Sequence, residues 1–193
     1  MFVSIFLLFS FLFVIGSEAI PTCTFRSGSC NGDETCVFSV VQDTNSHVGS
    51  CGTYNTQVCC TEITSATIRT GSCNAGEGPV ISIFAASNAH AGTGFYYSNL
   101  VCAKTSSNPI VTNVRTSCNS KENCVVSFFQ SDNTHVGNCN YYSNKLCIQE
   151  LFNVSITIIL NNTSPSWNES IGVQGVATRS DGTVIETYPI NLT

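Results

Sequence analysis

Four polar residue types that could form a catalytic or binding site recur at fixed spacing in this chain of 193 residues. Counting from Cys30, Cys73 and Cys118, a Glu stands at offset 4, a Ser at 9, an Asn at 15 and a His at 17. A Ser, a His and a carboxylate are the parts of a hydrolase triad. No G-x-S-x-G turn surrounds any of these Ser residues, however, and one short region does not need the same catalytic site three times. The pattern therefore predicts a protein that is not an enzyme.

The repeated polar residues have two further interpretations. Asn adopts the left-handed conformation in turns, and a Gly at offset 19, at Gly49, Gly92 and Gly137, is expected to supply positive φ. A half-buried His or Glu can hydrogen-bond loop backbone, so a structural role without a bound metal or cofactor is the main expectation. The alternative is a site for a divalent ion or a glycan, because polar loops on a rigid scaffold are common binding surfaces. Its candidate residues are Asn45, His47, Asn88, His90, Asn133, His135, Glu34, Glu77 and Glu122. Bringing all three His to one metal would require pseudo-threefold packing of the repeats.

These positions belong to an internal repeat of 30 residues that occurs three times without a gap. The copies are CNGDETCVFSVVQDTNSHVGSCGTYNTQVC, CNAGEGPVISIFAASNAHAGTGFYYSNLVC and CNSKENCVVSFFQSDNTHVGNCNYYSNKLC. Such self-similarity indicates one supersecondary unit used three times.

Differences between the copies predict how the 12 Cys pair. Copies one and three carry Cys at offsets 6 and 21, where copy two has Pro79 and Gly94. Because both thiols are missing together, we expect them to pair with each other, while the first and last Cys of each copy form a second kind of pair. The predicted disulfides are Cys36 with Cys51, Cys124 with Cys139, Cys30 with Cys59, Cys73 with Cys102, Cys118 with Cys147, and Cys23 with Cys60. Cys59 and Cys60 are adjacent and could exchange partners.

The charge composition and the spacing of the Cys each argue against one class of function. Only 10% of residues are charged and the net charge is -5, so the chain cannot neutralise many phosphates and nucleic-acid binding is not expected. The Cys contain no C-x2-C pair and an exported chain favours disulfides over thiolates, so a zinc site made of Cys is not expected either.

The N-terminus predicts export. An apolar run from Phe2 to Ile15 is too short to span a bilayer, and small residues at Ser17 and Ala19 suit cleavage before Ile20. Residues 1–19 are therefore predicted to be a signal peptide. The mature chain has no other segment that could span a membrane, and we expect it to be secreted or at the cell surface.

Short apolar runs within the copies predict β-strands, and no segment has a sustained helical period. The predicted strands are Val37 to Val41, Val80 to Phe84, Val125 to Phe129, His47 to Cys51, Gln57 to Cys60, Ala66 to Thr70 and Ile110 to Arg115. The sequence thus predicts an all-β protein with three small disulfide-stapled β repeats over residues 20–62, 63–104 and 105–149. The repeats could be strung like beads or packed side by side.

The segment over residues 150–193 is of a different type. Apolar residues alternate from Phe152 to Leu160, and runs at Val173 to Arg179 and Thr183 to Leu192 flank a Ser-Asp-Gly hairpin turn. All N-glycosylation sequons lie here, at Asn153, Asn161, Asn162, Asn168 and Asn191. The strand phase predicts that Asn153 and Asn191 point away from the apolar face, and the adjacent Asn161 and Asn162 are not expected to be modified together.

The motif N-x-H-x-G, followed by Tyr and by a terminal V-C-C or L-C, as in Asn45 to Cys60, resembles Cys-rich repeats of archaeal-type cell-surface proteins. The resemblance covers about residues 23–148 and implies a surface location without a mechanism. The tail GVATRSDGTVIETYPINLT resembles one edge of the immunoglobulin-like β-sandwiches of microbial surface proteins. It implies a partial immunoglobulin-like domain.

These features predict a secreted or cell-surface structural or adhesive repeat protein with extracellular protein or glycan partners. Two alternatives stay open: a carbohydrate- or metal-binding module using the Asn, His and Glu loops, and a secreted protease inhibitor. The tail is shorter than the roughly 100 residues that an immunoglobulin-like sandwich takes. Either the chain is a fragment of a longer surface protein, or the C-terminal segment self-assembles by strand addition.

Overall fold

The computed structural model describes residues 20–106 and 108–151, together with the backbone of residues 154–160, 172–179 and 184–191. The predicted signal peptide lies outside the described residues. Within them the protein is all-β, with three four-stranded antiparallel sheets, one in each repeat, followed by a three-stranded sheet. The predicted fold class is confirmed.

Each repeat has the same strand order, in which its last strand lies between its first and second strands. The first sheet, β1-β4-β2-β3, contains β1 (Cys23–Ser27), β2 (Thr35–Val40), β3 (Val48–Gly49) and β4 (Thr56–Cys60). The second, β5-β8-β6-β7, contains β5 (Ser65–Thr70), β6 (Gly78–Ile83), β7 (Ala91–Gly92) and β8 (Asn99–Lys104). The third, β9-β12-β10-β11, contains β9 (Ile110–Arg115), β10 (Asn123–Phe128), β11 (Val136–Gly137) and β12 (Asn144–Glu150). Only β12 crosses a predicted repeat boundary, by one residue.

The second strand of each repeat supplies the core. The last four residues of β2, β6 and β10 are all buried, which is why these strands are continuously apolar or small rather than alternating. Phe38, Ile81 and Phe128, one from each repeat, are fully buried in one shared core. The repeats therefore pack side by side and bury apolar surface that a single unit could not.

The three sheets close into a ring. Strand β2 packs against β5, β6 packs against β9, and β10 packs against β1, so each repeat contacts both others. At the seams, Thr35 Oγ1 donates to Ile63 O at 2.5 Å and Asn123 Nδ2 donates to Pro21 O at 3.2 Å. The equivalent residue of the second repeat is Gly78, where an added Cβ would lie 1.8 Å from Ile110 O. Only Gly permits that backbone approach.

Six disulfides hold the repeats, and they join the pairs expected from the sequence. Each 30-residue copy has one bridge from its first Cys to its last, with a sequence separation of 29. Repeats one and three add a shorter bridge with a separation of 15, and Cys23 pairs with Cys60. The described residues contain no free Cys.

The C-terminal sheet contains β13 (Val154–Leu160), β14 (Gly172–Arg179) and β15 (Val184–Asn191), paired in that order and antiparallel. The strands agree with the alternating pattern of the sequence. The hairpin turn and the sequons Asn153, Asn161, Asn162 and Asn168 lie outside the described residues. The immunoglobulin-like assignment stays a prediction, as does the orientation of the Asn191 side chain.

Candidate metal centre

The segment N-x-H-x-G forms the centre of the ring. Asn45, Asn88 and Asn133 have φ values of 44°, 46° and 46°, which confirms the expected left-handed turns. Directly after each Asn, the backbone pairs with the neighbouring repeats through the bridges Ser46 to Val136, Val48 to Ala89 and Ala91 to Thr134. These pairs form a triangle of backbone hydrogen bonds between 2.7 and 3.0 Å long. The packing that a shared three-His site requires is therefore present.

The three His meet inside this triangle. The ring centroids of His47, His90 and His135 lie 4.6–4.9 Å apart and the rings meet edge to face. One ligand nitrogen from each ring lies within 4.8 Å of the others, and the Nε2 atoms of His90 and His135 are 3.1 Å apart. All three rings are half-buried, so solvent reaches them.

Each His is oriented by the Asn of a neighbouring repeat. The distances from Nδ1 to Asn Oδ1 are 2.5 Å for His47 and Asn88, 2.7 Å for His90 and Asn133, and 2.7 Å for His135 and Asn45. An amide oxygen only accepts, so each Nδ1 carries the proton and donates it to the Asn. In the neutral ring, Nε2 is then a bare acceptor. Partners of this kind fix the tautomer of metal-binding His.

Two Tyr hydroxyls hold the same Asn side chains. Tyr97 Oη donates to Asn133 Oδ1 at 2.8 Å, and Tyr142 Oη donates to Asn45 Oδ1 at 2.9 Å. The remaining turn, which contains Asn88, differs: there the Asn88 backbone N–H donates to Tyr54 Oη at 2.7 Å. Burial raises the pKa of Tyr97 and of Tyr142, which keeps both hydroxyls protonated as donors.

The arrangement leaves lone pairs facing one another. With the protons on Nδ1, the Nε2 lone pairs of His90 and His135 converge at 3.1 Å without a donor between them. Burial, with His47 and His90 nearby, lowers the pKa of His135, so protonation of that ring is disfavoured. A cation bound by the three rings would remove the repulsion. Nitrogens on a tetrahedral zinc with Zn–N bonds of about 2.0–2.1 Å lie about 3.3 Å apart, close to this separation.

The three candidate Glu residues lie elsewhere. Glu34, Glu77 and Glu122 stand at the opposite end of the second strand from the His turn, and each forms an ion pair within its own repeat. The partners are Arg26, Arg69 and Arg115, at 2.5, 2.6 and 3.0 Å. Each Glu also accepts from the N–H of the Asn three positions earlier. The Glu side chains therefore hold a turn and are not part of the His cluster.

The Ser and Gly of the repeat are structural too. Ser39, Ser82 and Ser127 are fully buried, and Ser127 Oγ donates to Asn138 O at 2.6 Å and accepts from Tyr142 N at 3.0 Å. The expectation that the Gly at offset 19 has positive φ is wrong. Gly is needed there because a neighbouring side chain covers it: a Cβ on Gly137 would lie 2.8 Å from Tyr141 Cδ1.

An open cleft of about 490 Å³ adjoins two of the His. Its lining comprises Asn45, His90, Phe129, Gln130, Asn133, Thr134, His135, Tyr141 and Tyr142. Phe129 is 67% exposed and Tyr141 is 48% exposed. These two aromatic residues were not among the candidates predicted from the sequence, although both recur in the second repeat as Phe84 and Tyr96.

Comparisons with protein-family models, curated proteins and solved structures found no match to this chain. No helix in the described part of the chain is long and apolar enough to cross a membrane. The disulfides are typical of proteins that mature in an oxidising compartment, which is consistent with an extracellular location.

Proposed function

We propose that this protein is an extracellular, disulfide-stabilised module that binds a divalent transition metal through His47, His90 and His135. Zinc is the metal that the proposal favours. The observation that carries the proposal is that one ligand nitrogen from each of the three rings lies within 4.8 Å of the others. Each ring also has its Nδ1 directed to an Asn oxygen. The main expectation from the sequence was a chain without a metal. The proposal departs from it because the ring brings together three His that are more than 40 residues apart in the chain.

The ligand set favours zinc. Imidazole nitrogen is a preferred ligand of zinc, copper, iron and nickel, whereas calcium and magnesium take oxygen. Three His leave one position of a tetrahedral zinc open to water or to a ligand. The described residues that line the adjoining cleft include no Asp or Glu. The proposed role of the centre is binding, in line with the expectation from the sequence that the protein is not an enzyme.

A structural or adhesive role at an extracellular surface is the second candidate. Six disulfides in a small all-β unit suit a chain that persists outside the cell. Among the described strands, β13 and β15 each pair on one side only, so strand addition through the C-terminal sheet would have available edges. This role is compatible with a metal centre in the ring.

The test is zinc binding by the mature, oxidised full chain after treatment with a chelator. We expect calorimetry to give one zinc per chain, and X-ray absorption to give three imidazole nitrogens at about 2.0–2.1 Å. The H47A/H90A/H135A variant should lose binding. Asn55→Ala, which alters an exposed Asn bonded to Ser27 away from the His cluster, should retain it.

Peptide mapping and circular dichroism of the triple variant separate loss of the site from loss of the fold. Unchanged zinc affinity in a correctly folded triple variant would contradict the proposal. Zinc bound with fewer than three imidazole nitrogens would also contradict it.

A further inference from the structure

The three repeats differ in the residues that surround the His cluster. At offset 11 stands the residue whose backbone N–H donates to the carbonyl of the His in the same repeat. It is Val41 in repeat one, Phe84 in repeat two and Phe129 in repeat three. At offset 23, the residue packed over the repeated Gly is Thr53, Tyr96 or Tyr141. Repeats two and three therefore carry an aromatic pair that repeat one lacks. Their shared fold does not require this pair, because repeat one forms the same sheet with Val41 and Thr53.

The aromatic pairs are exposed and held in place. Phe84 and Phe129 are 69% and 67% exposed, so burial does not account for either ring. In repeat three, Tyr142 stacks edge to face with Tyr141 and Phe129, at centroid distances of 4.5 and 5.7 Å. Tyr142 is itself anchored by its hydroxyl on Asn45. We call Phe129, Tyr141 and Tyr142 the aromatic platform. Its counterpart in repeat two is Phe84, Tyr96 and Tyr97.

The cleft above the platform is suited to a neutral polyhydroxylated ligand. The aromatic rings offer apolar faces, the Nδ2 groups of Asn45 and Asn133 offer donors, and Gln130 Oε1 offers an acceptor. The Oδ1 atoms of the two Asn already accept from His and Tyr. Its described lining contains no Lys, Arg, Asp or Glu, so in the absence of the metal it offers no fixed charge to an anionic or cationic ligand. Aromatic faces beside amide groups match the apolar ring faces and hydroxyl edges of a sugar.

We infer that the cleft between repeats three and one binds a neutral carbohydrate, which stacks on Phe129 and Tyr141 and hydrogen-bonds to the surrounding amides. The counterpart in repeat two provides a second stacking surface of the same composition. Stacking does not require the metal.

A coupling to zinc rests on the proposed function. Asn45 Oδ1 accepts from both His135 Nδ1 and Tyr142 Oη, so metal binding by His135 orders the amide and the platform together. Zinc should therefore strengthen carbohydrate binding.

The test titrates cellohexaose, fully N-acetylated chitohexaose and mannohexaose into the mature full chain, with zinc and after chelation, using calorimetry and NMR. We expect one or more of these probes to bind, and zinc to tighten that binding. Phe129→Ala should weaken it, and the F84A/F129A variant should abolish it. Val41→Ala changes the equivalent position of repeat one and is the matched control. A heparin hexasaccharide tests the requirement for a neutral ligand.

The possible failures are distinguishable. Binding of none of the neutral probes, or binding that is unaffected in F84A/F129A, overturns the carbohydrate inference while zinc binding stands. Carbohydrate binding by a chain that takes up no zinc overturns the metal proposal and the coupling, and leaves the stacking site. Equal or tighter binding of the heparin probe by the chelated chain, in which no metal charge adjoins the cleft, overturns the neutral ligand class.

Discussion

Asn45 and His135 lie 90 positions apart in the chain, and Asn45 Oδ1 and His135 Nδ1 are 2.7 Å apart at the junction of repeats one and three. The same kind of contact joins His47 to Asn88 and His90 to Asn133. Each repeat thus supplies one His and the Asn that orients another repeat's His. The Asn–His contacts of the candidate metal centre therefore also join the repeats to one another.

This sharing predicts that an Asn variant loses metal affinity without losing a ligand. In Asn45→Gly the amide is removed, but Gly readily adopts the φ of 44° found at this position. We expect zinc affinity to fall about 10–100-fold, as on loss of other hydrogen-bond partners of metal ligands. Competition with a chelator of known affinity measures the change, with Asn55→Ala as the control. An Asn45→Gly variant with the affinity of the native chain would contradict the role assigned to the Asn.

The two kinds of disulfide should differ in how far the fold depends on them. Repeat two forms its sheet without the shorter bridge, so the C124A/C139A variant should fold and bind zinc, with a loss of about 3 kcal/mol in the free energy of unfolding. The C118A/C147A variant should lose more, because its loop is longer and Cys147 is fully buried. Urea unfolding of both variants measures the difference. Equal losses, or failure of C124A/C139A to fold, would contradict the comparison.

The disulfides were predictable because the repeats differ. Pro79 and Gly94 replace two Cys at once, and that joint absence identifies the pair. The Arg partners of the three Glu residues were missed, although each stands shortly before the first Cys of a 30-residue copy. They are Arg26, Arg69 and Arg115. Their offset is 4 residues in two repeats and 3 in the third, so the alignment from Cys30, Cys73 and Cys118 did not bring them into register. Strand β1 was also missed, although its counterparts β5 and β9 were predicted, because Cys23–Ser27 lacks the β-branched aliphatic residues found in those two strands.

Acid should destabilise the protein through two Glu residues. Hydrogen bonds from Arg26 and Arg69 hold the pKa of Glu34 and of Glu77 below the usual value for Glu. Each carboxylate therefore stabilises the fold fully above the unfolded pKa of about 4.3, and this contribution is lost as pH falls through the lower folded pKa. The free energy of unfolding should thus fall between neutral pH and about pH 3.

The E34Q/E77Q variant isolates this effect. It should be less stable than the native chain at neutral pH and should lose less stability on acidification, because two of the responsible carboxylates are gone. Asp43→Asn, which changes an exposed carboxylate, is the control. Urea unfolding at both pH values gives the comparison. An identical acid response in E34Q/E77Q and the native chain would remove these two ion pairs as its cause.

Closure of the three repeats into a ring could not be predicted from the sequence, for a physical reason. The backbone bridges from Ser46 to Val136 and from Val48 to Ala89 involve single residue pairs, and such pairs leave no alternating pattern in the chain. The repeated N-x-H-x-G motif identified the residues that meet at the centre of the ring. It could not show whether the repeats pack side by side or form independent units. The Glu residues recur just as regularly and proved to serve a different contact. Regular recurrence identifies positions that the repeat needs, and only the fold shows which of them meet.

The Gly at offset 19 allows the aromatic platform to be altered without removing a ring. In Gly137→Ala, the new Cβ would lie 2.8 Å from Tyr141 Cδ1, so Tyr141 must move. We expect a loss of about 1–3 kcal/mol in the free energy of unfolding, as for other overpacked sites. Carbohydrate affinity should fall more than zinc affinity, because Tyr141 lines the cleft and belongs to the aromatic platform but is not one of the three proposed metal ligands. Gly32→Ala is the matched control, since its Cβ would meet nothing within 4 Å. Calorimetry with zinc and with the neutral hexasaccharides compares the two variants. Equal losses of both affinities in Gly137→Ala would mean that the platform and the metal centre do not act as separate sites.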